Sequence, residues 1–393
     1  MIDLGAVTVA DLEADPYPIY ARLREHAPVA YVPALDVWMV TRWRDVESAL
    51  NDPGRFPAHV EDSPTDEALG GISMMTTDGE PAKQRRRPFD STFRPRAVEA
   101  SMPHVFERLC SDALDIIEEA GGGDLLTQYF EPVSVLSLAH ATGIADRVDG
   151  LTLVRWFGGL AAGVSNYEKD PAKAAFCAAV SDEIDEIVRP LFEQALGAPD
   201  DSMISNLVHA IDGSLDERIA WAMPSLKLVL LGGLQEPAHG GATIAHCLLT
   251  HPEQLDAVRT DPGHVAAAVE EGLRWTAPIG NLLRGVVPGT SLGSVHLPDH
   301  ARVILVVSSA NRDREIWGPT ADDFDIFRPR RTHLSFAAGP HYCIGHHFAR
   351  AQLRIAIRML LDRFPRLRLD PLHDVVYRGH EYRSPTALGV EVG

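Results

Sequence analysis

One segment concentrates reactive side chains: Phe336-Ala337-Ala338-Gly339-Pro340-His341-Tyr342-Cys343-Ile344-Gly345. Glycines bracket Cys343 on a tight loop, and a helical pattern begins directly after Gly345. Backbone N–H groups and the positive end of a helix stabilise a thiolate, and glycine lets a flat partner approach the backbone closely. A thiolate presented in this way is a good axial ligand for haem iron. Two plainer readings stand beside it. A lone cysteine is commonly a small buried hydrophobe. His341, Cys343, His346 and His347 also form a local cluster for zinc, although it lacks the paired spacing of structural sites and places His346 and His347 on different helix faces.

A second segment, Leu230-Leu231-Gly232-Gly233-Leu234-Gln235-Glu236-Pro237, interrupts a helical stretch. Each glycine costs about 1 kcal/mol relative to alanine, and an interior proline costs about 3 kcal/mol or kinks the helix. A helix opened beside a ligand cavity gives that cost a use; a helix end or a helix-turn-helix is the alternative.

The elements that must position these segments are mostly helical from about Pro95 to Thr250, with further helices over Tyr17–Glu25, His264–Trp275 and after Gly345, the last carrying Phe348, Ala351, Ile355 and Met359 on one face. Short β-like runs occur at Val29–Val32, Trp38–Thr41 and Val303–Val307. The pattern implies a mainly α fold with small sheets. No repeat or linker divides the 393 residues, so one domain spanning 1–393 is expected. Net charge is −19, from 36 Lys+Arg against 55 Asp+Glu, a field that repels phosphate backbones and disfavours nucleic acid as a partner. Cys110, Cys177, Cys247 and Cys343 form no C-x-x-C pair, which suits a reducing compartment. The first residues lack a signal-peptide pattern, and the most apolar run, Leu226–Leu234, contains Lys227 and is far shorter than the ~20 residues of a membrane span. A soluble, cytoplasmic protein without a membrane partner is expected.

Phe336-x-x-Gly339-x-His341-x-Cys343-x-Gly345 resembles the haem-binding signature of the cytochrome P-450 superfamily. Ala337 stands where that family usually has glycine; it either fits or tightens the loop over the ring. Asp15-Pro16-Tyr17-Pro18, Trp38-Met39-Val40-Thr41, Glu271-x-x-Arg274, Ala310-Asn311-Arg312-Asp313 and Phe324-Asp325-x-x-Arg328 extend the resemblance over almost the whole chain. It implies the P-450 fold with haem b between the distal helix and the cysteine loop, held through Cys343 as axial ligand. It also implies an ion-pair triad of Glu271, Arg274 and Arg328, and haem propionates bound by Arg86, Arg284 and His341. The family's usual histidine four residues before Arg86 is Ala82 here, so that contact is lost, and Arg85 and Arg87 read as a solvated basic patch. Arg350, Arg354 and Arg358 form a stripe at helical spacing that reads equally as a solvated face or as the dock of an acidic electron donor.

In the distal segment the family's acid–alcohol pair is replaced by Gln235 and Glu236. The Gln-Glu-Pro triplet resembles bacterial aromatic O-demethylases that act on lignin-derived methoxyphenols of the guaiacol and syringol type. That narrower resemblance implies oxidation of an aryl methoxy group to a hemiacetal that collapses to formaldehyde and a phenol. The electrons and oxygen would come from O2 with a ferredoxin/reductase-type donor, or from hydrogen peroxide with Glu236, aided by Gln235, moving protons. Gly232 and Gly233 would border the pocket, and Val164 and Tyr382 would touch the aromatic substrate, unless both are plain core or surface. Phenylalanines occupy these two positions in the guaiacol type, so Val164 leaves room for a second methoxy group. The alternatives are a hydroxylase of another small hydrophobic substrate, or a haem sensor or carrier without turnover.

Overall fold

The computed structural model describes residues 4–167 and 169–393. Its principal helices are α1 (Gly79–Phe93), α2 (Pro103–Ala120), α3 (Glu131–Thr142), α4 (Gly150–Val164), α5 (Pro171–Gly197), α6 (Leu215–Leu234), α7 (Glu236–Thr250), α8 (Gly263–Thr276) and α9 (His346–Arg363). The largest sheet is formed by β1 (Val29–Val32), β2 (Val37–Val40), β3 (Asn281–Arg284) and β4 (Val303–Val306), in the order β1-β2-β4-β3. This is the helix-rich architecture with small sheets that the sequence implied. Among the described residues no helix is long and apolar enough to cross a membrane.

β2 pairs with β4 in parallel, Trp38 opposite Val303 and Val40 opposite Leu305, and β3 joins antiparallel with Arg284 opposite Val303. Val303 and Leu305 pack among Trp43 and Trp317, whereas Ile304 and Val306 pack among Tyr20 and Met39. Burial on both faces explains why this strand reads as an unbroken apolar run. Thr41, expected at the end of β2, lies one residue past the strand: its N–H and hydroxyl both donate to Pro28 O, at 2.9 and 3.2 Å. Val307 likewise leaves β4 to start the helical turn Val307–Ala310.

α9 is pinned by Phe348, whose ring meets Phe93 and Phe106 edge-on at 5.8 and 5.1 Å. Its buried stripe is Phe348, Gln352, Leu353, Ala356 and Leu360, while Ala351, Ile355 and Met359 are only half-buried. A polar residue disguised the stripe: the Gln352 amide donates to Val133 O at 3.1 Å inside the core.

The distal segment is a break between two helices. α6 stops at Leu234, α7 starts at Glu236, and Gln235 is the joint, with φ −114° and ψ −22°. Pro237 therefore lies in the first turn of α7, where no helical N–H bond is required of it. Two glycines let α7 lie close to its neighbours. A Cβ at Gly241 would sit 2.4 Å from the Phe130 ring, and one at Gly272 of α8 would sit 2.3 Å from Ile244 of α7.

Candidate haem site

The cysteine loop is built by short-range hydrogen bonds. The Cys343 N–H donates to Phe336 O at 2.9 Å, Ala337 N–H to Leu334 O at 2.8 Å, and Tyr342 N–H to Gly339 O at 3.1 Å. Gly339 has φ +67°, and a Cβ there would sit 2.6 Å from Leu50 O. Ala337 has φ +59°, a left-handed conformation that costs a non-glycine residue about 1–2 kcal/mol. The family's glycine is thus explained by backbone geometry, and the alanine occupies that geometry under strain. Burial pushes the Cys343 thiol up, against the Gly345 N–H and the charges of Arg86 and Arg350. Cys110, Cys177 and Cys247 are all buried.

His346 and His347, expected on different helix faces, lie with ring centroids 3.9 Å apart, and His346 also packs against Tyr342 at 4.8 Å. Among the described residues no three His, Cys, Asp or Glu side chains converge as a metal site, which leaves the zinc reading without support.

The three cations expected near haem propionates are placed by different elements. Arg86 lies half-buried on α1 and its charge reaches Cys343. Arg284 is buried at the end of β3 and donates to Leu283 O at 2.7 Å; burial lowers its pKa to about 10 against the pull of Asp78. His341 Nε2 lies 2.7 Å from Asp78 Oδ1. Asp78, which also accepts the Ala58 N–H at 2.7 Å, thereby groups His341 and Arg284. The sequence reading missed it; its signal is an aspartate directly before a helix, at Gly79. Arg85 is not part of a solvated patch. It donates to Trp221 O at 2.7 Å and stacks over that indole at 5.1 Å, whereas Arg87 pairs with Glu80 at the surface.

Glu271, Arg274 and Arg328 do converge. Arg274 donates to both Glu271 oxygens at 2.7 and 2.8 Å and to the carbonyls of Asn311, Ala321 and Asp323. Arg328 Nε reaches Glu271 Oε1 at 3.3 Å. The adjacent Glu270 takes Arg350 in a two-pronged pair at 2.7 and 2.8 Å, and Arg350 lies over the Phe336 ring at 4.3 Å. Arg350 thus leaves the surface stripe expected with Arg354 and Arg358, and Arg358 is itself paired with Asp362 at 2.6 Å. Successive glutamates on α8 tie it both to the segment around Arg328 and to the start of α9, so the cysteine loop is braced from two sides.

On the distal side, Glu236 is 7% exposed and neither carboxyl oxygen has a hydrogen-bond partner. Burial pushes its pKa up to about 8. Burial, and after it a charge on Glu236, push up both the Cys343 thiol and the Tyr382 hydroxyl. The Gln235 side chain turns to another helix: its Nε2 donates to Glu131 Oε1 at 2.8 Å. A Cβ at Gly232 would have nothing within 4 Å, while one at Gly233 would press on Leu138 at 3.1 Å; of the two glycines, only Gly232 borders open space. Phe157 meets Tyr382 edge-on at 5.7 Å and His239 at 6.1 Å. Val164 is buried at the end of the helix that carries Phe157. Tyr382 also lines a cavity of about 490 Å³ shared with Ser165, Tyr167 and Glu381. His239, also missed in the sequence, is buried with Nδ1 unpartnered, and burial lowers its pKa to about 4. Its spacing of three from Glu236 on one helix was the available signal.

A thiol on a glycine loop, a distal glycine with free space above it, and the side chains of Arg86, Arg284 and His341 fit haem. A family model described as Cytochrome P450 matches residues 264–377. The chain is 31% identical over 394 residues to 6-deoxyerythronolide B hydroxylase of Saccharopolyspora erythraea, covering 94% of this chain and 95% of that one. It is also 31% identical over 381 residues to Cytochrome P450 monooxygenase PikC of Streptomyces venezuelae, covering 94% and 88%. The structure of P450BioI in complex with hexadec-9Z-enoic acid ligated acyl carrier protein superposes with TM-score 0.86 at 25% identity, over 96% of this chain and 98% of that one. With relatives of this identity along nearly its whole length, the chain belongs to the cytochrome P450 family, the haem b monooxygenases.

Proposed function

We propose that residues 1–393 form one cytoplasmic haem-thiolate oxygenase domain that demethylates small lignin-derived methoxyphenols of the guaiacol and syringol type. The observation that carries the reading is Glu236, a buried carboxyl with both oxygens unpartnered, one residue past the break in the distal helix. Cys343 would hold the iron, and Arg86, Arg284 and His341 the propionates, by charge-assisted bonds. Haem, when bound, supplies the oxidising power to put oxygen into a C–H bond. Glu271, Arg274 and Arg328 keep the loop geometry. Gly232 and Gly233 keep the break slim, and Val164 and Tyr382 bound the aromatic ring.

A methoxyarene and hydrogen peroxide give a phenol, formaldehyde and water, the methyl carbon being oxidised by two electrons as the peroxide is reduced. Glu236 takes a proton from the peroxide and returns it to the oxygen that leaves as water. A carboxyl with a pKa near the working pH suits both directions of transfer, and burial lifts Glu236 to about 8. Similarity to 6-deoxyerythronolide B hydroxylase favours a second reading, hydroxylation of another hydrophobic molecule at the same site.

The test is a screen of mono- and dimethoxylated phenols, read by the Soret shift of the haem-loaded protein and by formaldehyde release. Glu236→Thr should retain haem and substrate binding while peroxide-driven release falls by about tenfold or more. An unchanged peroxide rate removes Glu236 from proton transfer. Ligand binding with a hydroxylated product and no formaldehyde decides for the second reading.

A further inference from the structure

The oxygen-driven and peroxide-driven routes differ in where their protons come from. Methoxyarene, O2, two electrons and two protons give phenol, formaldehyde and water, so this route draws two protons per turnover from solvent; hydrogen peroxide brings its own. Glu236 is buried, and once it has given up a proton it must be reloaded through protein. Gln235, beside it, has no proton to give.

The Gln235 side chain nevertheless leads to an acid. Its amide donates at 2.8 Å to Glu131, the first residue of α3. Glu131 is half-buried and meets the break through that amide. Among the described residues it has no cation partner, and Gln235 is its one side-chain hydrogen bond. The charged group that acts on it is Asp124, from the strand before the Leu126–Phe130 turn; burial, reinforced by Asp124, lifts its pKa to about 7. Phe130, its chain neighbour, is packed against α7 at Gly241, so Glu131 is fixed relative to the helix that begins with Glu236.

We propose that Glu131 is the solvent-side acid that reloads Glu236 during oxygen-driven turnover, with Gln235 holding it against the break in the distal helix. This rests on the reading of Glu236 as the proton-handling group. The amide positions the carboxyl and carries no proton itself, so transfer across the remaining gap requires water in the broken turn. The family's acid is thereby displaced from the distal helix to a neighbouring one.

Glu131→Gln keeps an acceptor for the Gln235 amide and removes the titrating proton, whereas Glu131→Leu removes both. The haem-loaded full chain is assayed for formaldehyde per reducing equivalent with a surrogate ferredoxin and reductase, and for formaldehyde formed with hydrogen peroxide. In Glu131→Gln the ratio of oxygen-driven to peroxide-driven product should fall about tenfold, the missing reducing equivalents appearing as released peroxide, and Glu131→Asp should restore part of it. Independently of turnover, an infrared pH titration of the resting protein should show a carboxyl band that titrates near neutrality and is missing in Glu131→Gln. An equal loss on both routes makes Glu131 a structural clamp and overturns the proposal, as does an unchanged ratio or a band that persists in the variant. If the wild type releases no formaldehyde with either oxidant, the demethylase reading fails, while the infrared band still decides whether Glu131 titrates.

Discussion

Two positions in the cysteine loop show how much a single side chain or its absence decides. Ala337 holds φ +59°, so Ala337→Gly should relieve about 1–2 kcal/mol of left-handed strain, less the extra entropy glycine gives the unfolded chain. The expected result is a gain of up to about 1 kcal/mol, read from the denaturant midpoint; a loss of stability would mean that the alanine methyl packs better than it strains. Cys343→Ser should fold and lose the red-shifted Soret band of the reduced carbon monoxide complex, because a serine oxygen is a poor ligand for ferrous haem. An unchanged spectrum would assign the axial position to another residue.

Among the elements, α8 does the most to make the loop rigid. Arg274 is 1% exposed and its guanidinium satisfies one carboxylate and three carbonyls. Arg274→Ala leaves Glu271 buried with only Arg328 and the Asp325 N–H against it; breaking a buried pair in this way costs about 3–5 kcal/mol. Urea unfolding should show that loss together with reduced haem retention, and a cost below about 1 kcal/mol would make the triad a surface-type bridge. This brace was legible in the sequence as an i,i+3 pair placed in order with the cysteine motif, as were the helices and, but for its last residue, the strand expected over Val303–Val307. What stayed hidden depends on contacts between distant segments. Nothing local says that Gln235 turns to Glu131, that Asp78 groups His341 with Arg284, or that Arg350 abandons its helical stripe for Glu270. Gln352 misled in the same way, since only a carbonyl on another helix makes a buried amide acceptable.

For the molecule as a whole, buried titratable groups set the pH range of stability. Burial lifts the carboxyls of Glu131 to about 7 and of Glu236 and Glu381 to about 8, and lowers His239 and His380 to about 4. A carboxyl held protonated contributes stability that is full below its unfolded value of 4.5 and is lost as pH rises through its folded value. A histidine held neutral contributes fully above 6.5 and loses that contribution as pH falls towards its folded value. The two slopes oppose each other between these limits, and above 6.5 only the carboxyls act. The urea midpoint should therefore decline from about pH 6.5 to about pH 8.5, and Glu381→Gln should flatten the decline; a midpoint that rises over this interval would contradict the burial of these acids. The parallel pairing of β2 with β4 bears on a different matter, the order in which the protein comes into being. Trp38 finds Val303 only after about three-quarters of the chain has been made. At about 5–20 residues per second, the first hairpin waits roughly ten to fifty seconds with the outer edge of β2 unpaired, an open template for another nascent chain. Ala337 and Ala338 pack against the core around this same sheet, so the cysteine loop closes on a platform that has only just been completed. Cofactor uptake is in consequence a late event of biogenesis, one that seals the protein and cannot guide its first steps.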